Sequence, residues 1–222
     1  MMIKGIDAIA FDFDGLIMDS EPIWHDAERG VLSEHDVFVP PEMTGATTGL
    51  RCDEAMLFWK QWFDRSDLDP QKLQAEVENR VMDGFVKKGK AKAGAIEILN
   101  HCFDNKIPYS IVSSSPEKVI RCGLEVIGLT GLDIRIFSTE HLQFGKPHPE
   151  VYTWFCREHG IAPERGLVFE DSFNGGIAAK AAKMKLVLIP EEENAADNPR
   201  FGFADKILSS LEEAEIEMWM RR

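Results

Sequence analysis

Hydrophobic and polar positions along the chain follow two regimes. Residues 6–11 (IDAIAF) are almost wholly apolar, and the run breaks on Asp12, Phe13, Asp14 and Gly15. So short a run, with β-branched and aromatic content, predicts a buried strand rather than a helix. Strand and helix patterns alternate again after residue 90. Helix 94–104 leads to strand 109–112, helix 117–127 to strand 134–137, helix 149–159 to strand 166–169 and helix 174–182 to strand 186–189, with a last helix over 209–220. Strands alternating with helices predict a doubly wound, Rossmann-like α/β fold around a parallel sheet.

Between these stretches the periodicity is helical throughout. Ser20, Glu21 and Pro22 read as an N-cap followed by an acid and a proline in the first turn. Helices are predicted over 21–34, 51–63 and 70–88, with the Gly/Thr-rich loop 41–50 (PEMTGATTGL) between the first two. Because this block follows the first strand directly, it is an insertion. The expected organisation is an α/β core of residues 1–17 and 91–222 and an inserted helical-bundle cap of residues 18–90, hinged after Gly15 and near Lys90.

Composition narrows the function classes. The 222 residues are 44% hydrophobic and 28% charged, as in a globular chain. No apolar run reaches the roughly 18 residues of a membrane span, and the early acids Asp7, Asp12 and Asp14 are unlike a signal peptide, so a cytoplasmic protein is expected, a monomer by default. A net charge of −13 opposes nucleic acid and anionic membranes as partners. A small anionic substrate stays possible if a metal or lysine makes a local positive island. Cys52, Cys102, Cys122 and Cys156 are scattered without a CxxC and read as reduced structural thiols. Residues 191–200 (EEENAADNPR) read as an acidic surface loop.

Candidate chemistry sits at four strand ends, where open α/β sheets bind their ligands. Asp12 and Asp14 either share one side of the first strand's end or diverge as the chain turns at Gly15, and carboxylates this close need a proton or a cation. The second strand ends on Ser113, Ser114 and Ser115 before a helix, a potential anion site, although plain capping by Ser115 would also account for it. Lys146 lies on a loop stiffened by Pro147 and Pro149, as a point charge suited to phosphate oxygens. The fourth strand runs into Glu170 and Asp171, with Ser172 and Asn174 opening the next helix. Magnesium takes oxygen ligands, so Asp12 and Asp171 would supply carboxylates, Asp14 a backbone carbonyl, and Glu170 a direct or water-mediated contact.

The segments DFDGLIMDSE, VSSSP, GKPHP and EDSFNG, in this order, resemble the four motifs of the haloacid dehalogenase superfamily, and the helical insertion resembles its small cap. Within the superfamily the chain is most similar to the β-phosphoglucomutase-like branch, and its tail NPRFGFADKILSSLEE is similar to bacterial hexose and hexitol phosphate phosphatases. The resemblance implies a Mg²⁺-dependent sugar-phosphate phosphatase. Asp12 is then the nucleophile, Asp14 the general acid/base, Ser113 and Lys146 the phosphoryl holders with the Ser114 and Phe13 amides, Asp171 a metal ligand, and Asn174 and Glu170 supporting residues. Specificity is expected from Glu21, Trp24, Thr48 and Arg51 facing the crevice, with core packing for Trp24 and a cap or pairing with Glu54 for Arg51 as alternatives. Where the mutase has a cap histidine this chain aligns Trp24, with His25 expected to face elsewhere, and Arg51 stands one position early. Both departures favour a phosphatase over a phosphomutase, and a catalytically silent module would have no need of both Asp12 and Asp14.

Overall fold

The structure, a computed structural model, describes residues 3–43, 45–191 and 195–220. Thr44 of the predicted loop 41–50 and residues 192–194 of the predicted acidic loop lie outside the described residues. Six parallel strands form one sheet in the order β3-β2-β1-β4-β5-β6. They are β1 (Ala8–Phe11), β2 (Tyr109–Ser113), β3 (Ile136–Ser138), β4 (Gly166–Glu170), β5 (Lys185–Leu188) and β6 (Lys206–Ile207). The order reverses at β1, whose Phe11 is level with Ile111 of β2 on one side and Phe169 of β4 on the other. The carboxyl ends of β1 and β4 therefore open onto a topological switch point.

The β1 pattern explains the layering. Ile9 and Phe11 face one core and Ala8 and Ala10 the other, as alternation along a strand requires. The Ile/Phe face takes α4 (Ala95–Asp104) and α5 (Glu117–Val126), and the small Ala face lets α6 (Glu150–His159) and α7 (Phe173–Ala181) approach closely. Between β1 and α4 come α1 (Glu21–Glu34), α2 (Cys52–Trp62) and α3 (Pro70–Lys88). α3 packs against α1 and α2 and also against α5, so the helical layer rests on the sheet's own helices.

The chain departs from its sequence pattern in three places. The predicted helix 209–220 is broken into a single 3₁₀ turn (Leu211–Glu213) and a short α8 (Ile216–Trp219). Its acids repel at helical spacings, Glu212 with Glu215 and Glu213 with Glu217, and the Ser210 hydroxyl accepts from the Glu212 amide to close one turn only. The two-residue β6 has too little pattern to be read from sequence. Ser20 does not cap α1 with its side chain; its buried hydroxyl instead accepts from the Gly15 amide at 3.2 Å. Among the described residues no helix is long and apolar enough to cross a membrane.

Phe155, fully buried beneath the sheet and edge-on to Phe137, tests this packing. Phe155→Ala is expected to lower unfolding free energy by about 3–5 kcal/mol, measured by urea denaturation.

Candidate active site

Two adjacent strand ends bring the acids together. The Asp12 amide donates to the Phe169 carbonyl at 3.0 Å, carrying the β1–β4 ladder one residue past β1. Asp12 and Asp14 share the cavity because Phe13 between them turns the other way, fully buried against Phe85 of α3. Gly15 follows with φ +75°, a conformation that favours glycine. A Cβ there would also overlap the Asp171 carboxylate, so the turn brings backbone directly against that acid.

Lys146 is only 2% exposed. Its ammonium donates to Asp12 Oδ1 at 2.6 Å, Glu170 Oε1 at 2.8 Å and the Val112 carbonyl at 2.9 Å. Glu170 is held on both oxygens: Oε1 also accepts from the Tyr152 hydroxyl at 3.2 Å, and Oε2 accepts from the amide and hydroxyl of Ser172, each at 2.9 Å. One oxygen from each of Asp12, Glu170 and Asp171 lies within 4.8 Å of the other two. Three buried acids thus face one ammonium. Burial pushes Asp12 up to about 8, outweighing the attraction of Lys146, while Glu170 and Asp14 push it further. Burial, then Glu170 and Asp12, also drive Asp171 upward, and the two carboxylates keep Lys146 firmly protonated. Asp171 Oδ1 is buried and has no hydrogen-bond partner among the described residues. An all-oxygen set with excess negative charge and an unsatisfied carboxylate oxygen suits a hard divalent cation, so these residues fit the magnesium expected from sequence.

Asp14 has different partners. Its Oδ1 accepts from Trp24 Nε1 at 2.6 Å and its Oδ2 from the Ser115 hydroxyl at 2.6 Å. Ser115 is itself fixed, its amide donating to Ser113 Oγ at 3.0 Å and its carbonyl accepting from Ser138 Oγ at 2.7 Å. Above these groups lies a cavity of about 90 Å³.

Asp12, Asp14, Ser113, Ser114, Lys146, Glu170 and Asp171 all line this cavity, as do Glu21, Trp24 and Thr48 from the helical layer. The structure does not bring Arg51 into it. The Arg51 guanidinium forks onto Asp53 at 2.6 and 2.8 Å and donates to the carbonyls of Thr139 and Leu142, each at 3.0 Å. Of the two alternatives for Arg51, pairing with Glu54 is marginal at 3.9 Å, and α2 has no side-chain cap. Asn174 also stays outside the lining, in the first turn of α7. His25, expected to face elsewhere, lines the cavity with Nε2 3.3 Å from Thr48 Oγ1. Successive residues on a helix diverge by about 100°, and this cavity spans enough of α1 to admit both Trp24 and His25.

Sequence reasoning read Ser115 as part of a potential anion site or as a cap, not as the partner of Asp14, and missed Tyr152 and Glu28. Glu28 lines the cavity, yet at helical spacing it looks like an ordinary surface acid. Nothing local in the sequence marks it.

The fold and site define an α/β protein with a carboxylate–lysine centre at a sheet switch point, covered by a helical layer. Residues 9–189 match the haloacid dehalogenase-like hydrolases, and the chain belongs to that family. It is 32% identical over 211 residues to hexitol phosphatase B of Escherichia coli, covering 95% of each chain. A CbbY variant of Rhodobacter sphaeroides in complex with xylulose-(1,5)bisphosphate superposes with a TM-score of 0.85 at 20% identity, covering 95% of this chain and 96% of that one. β-Phosphoglucomutase of Clostridium difficile superposes with a TM-score of 0.81 at 19% identity, covering 96% and 94%. These two structures share the fold with this chain.

The raised acid predicts a pH dependence. The Asp12 proton is lost near 3.8 in the unfolded chain but held to about 8 in the folded one. The folded state binds more protons across that window, so stability falls as pH rises through it, by about 1.4 kcal/mol per pH unit for each such proton. Urea denaturation in EDTA from pH 5 to 9 is expected to follow this decline, and Asp12→Asn to flatten it. A profile that rises with pH in the parent protein would contradict the assignment.

Proposed function

We propose that this protein is a Mg²⁺-dependent phosphatase that hydrolyses hexose or hexitol phosphates through an aspartyl-phosphate on Asp12. The observation that carries the reading is the Asp12 carboxylate, fixed by the buried Lys146 at 2.6 Å and facing a cavity it shares with Asp14. Family membership and the hexitol phosphatase relative support it.

Asp12 attacks phosphorus in line, forming an aspartyl Oδ–P bond as the bond from phosphorus to the sugar oxygen breaks. Asp14 gives its proton to that leaving oxygen. In the second step a water attacks phosphorus, Asp14 takes the water's proton, and the Oδ–P bond breaks, returning Asp12 and releasing phosphate. Lys146 and the Ser113 hydroxyl hold phosphoryl oxygens, with the Ser114 and Phe13 amides as further donors. Asp12, Asp171 and the Asp14 carbonyl would hold Mg²⁺, which when bound neutralises charge on the phosphoryl oxygens. Glu170, with both oxygens already occupied, orients Lys146 rather than binding metal directly.

Residues 18–90 act as a cap that closes over the core and excludes bulk water. Closure is coupled to chemistry through Trp24, which donates from α1 to Asp14 at 2.6 Å and keeps that carboxyl group oriented. Arg51 secures the closed arrangement from α2, through its two bonds to core carbonyls.

Purified protein is expected to release phosphate from hexitol and hexose phosphates with Mg²⁺ and to stop in EDTA. Asp12→Asn should remove turnover while leaving the unfolding transition cooperative, and Asp14→Asn should lower kcat by about 10²–10⁴-fold. Unchanged hydrolysis by either variant would refute its role. Trp24→Phe removes one of the two donors that position Asp14 and should lower kcat more than it changes KM; an unchanged kcat would leave Trp24 a packing residue.

A further inference from the structure

We infer that the substrate carries one phosphate and an uncharged, hydroxyl-rich remainder, with Glu28 accepting from hydroxyls remote from phosphorus and a second anionic group refused. This rests on the phosphatase reading of hexose and hexitol phosphates, and adds to it Glu28 as a specificity residue and the exclusion of a second anion.

The cavity is asymmetric in charge. At its floor Lys146 is the one cationic side chain among the described residues that line it, and that ammonium already serves Asp12 and Glu170. The wall contributed by α1, α2 and their connecting loop presents acceptors instead: Glu21, Glu28, Thr47 and Thr48, with His25 beside them. Burial holds His25 below its ordinary value, so it is uncharged near neutral pH. Arg51, the cap arginine, is turned outward onto Asp53 and two core carbonyls. Lys92, which acts electrostatically on Glu21, is not part of the lining and is paired with Glu191.

Glu28 is the informative member of that wall. Its carboxyl accepts from Thr47 Oγ1 at 2.9 and 3.2 Å and from Trp59 Nε1, donors that are all neutral. No cation pairs with it among the described residues, and burial raises its affinity for a proton. A carboxylate has about four acceptor positions, so Glu28 keeps capacity for donors arriving from the cavity. Hydroxyls meet that need. A second phosphate or a carboxylate would stand before Glu28 with no counter-charge, and like charges so juxtaposed discriminate strongly between ligands. The same asymmetry disfavours a mutase cycle, because passing the phosphoryl group to a sugar monophosphate makes a bisphosphate that this wall cannot neutralise.

The test compares glucitol 6-phosphate with gluconate 6-phosphate, equal in length and differing at the far end in a hydroxymethyl group against a carboxylate. Calorimetric titration of the Asp12→Asn variant with Mg²⁺ is expected to give about 100-fold tighter binding of the glucitol ester, and turnover by the parent enzyme to show the same order of preference. Glu28→Gln, assayed in the Asp12→Asn background, should narrow the ratio to about tenfold or less, since it keeps the shape and removes the charge. Thr48→Lys puts a cation on the same wall and should shift the ratio about tenfold toward the gluconate ester, which keeps the test decisive if the glutamine variant is unstable. Equal affinities, binding of neither ester, or a ratio that ignores both substitutions would overturn the inference. Discriminating binding without turnover by the parent enzyme would uphold the ligand class and reject the phosphatase reading instead.

Discussion

The structure depends on one buried ammonium. Lys146 is almost wholly removed from water, and a charge so placed is tolerated only when it is closely paired. Its three acceptors come from three different strand ends: Asp12 after β1, Val112 in β2 and Glu170 at the close of β4. The lysine therefore acts as a keystone for the sheet's carboxyl edge. Tyr152 and Ser172 extend the web to α6 and to the start of α7, so the positions of Asp12 and Glu170 are set by elements on either side of the crevice.

That arrangement leaves charge over. Three carboxyl groups against one ammonium cannot all be ionised and dry, and the excess is concentrated at Asp171, whose Oδ1 has no partner among the described residues. Tension of this kind is common where stability is given up for function. It also explains why Gly15 must be glycine, since any side chain would occupy the space that the Asp171 carboxylate takes.

The helical layer meets this centre at two levels. Trp24 reaches the reacting end through Asp14, while Arg51 and Glu54 grip the loop before Lys146, Glu54 Oε1 accepting from the Gly145 amide at 2.9 Å. In the proposed mechanism the first contact bears on the chemistry, and the second holds the layer against the sheet. Between them the wall of Glu28, Thr47 and Thr48 faces the remainder of the cavity, where the character of a bound molecule would be judged.

Much of this was legible in the amino-acid order. The parallel α/β alternation follows from short apolar runs separated by helical periods; Asp12, Asp14, Ser113 and Asp171 stand where such runs end and Lys146 on the loop after the third, so their convergence on one edge needed only the rule for parallel sheets. The final helix misled because apolar spacing says nothing of repulsion among Glu212, Glu213, Glu215 and Glu217 or of the single turn closed by Ser210. Arg51, His25, Ser115 and Glu28 were likewise beyond local reading. Which way a side chain on α1 or at a helix start points depends on what packs opposite it, and those neighbours, such as the Thr139 carbonyl 88 residues from Arg51 or Asp14 101 residues from Ser115, are supplied by the tertiary structure alone.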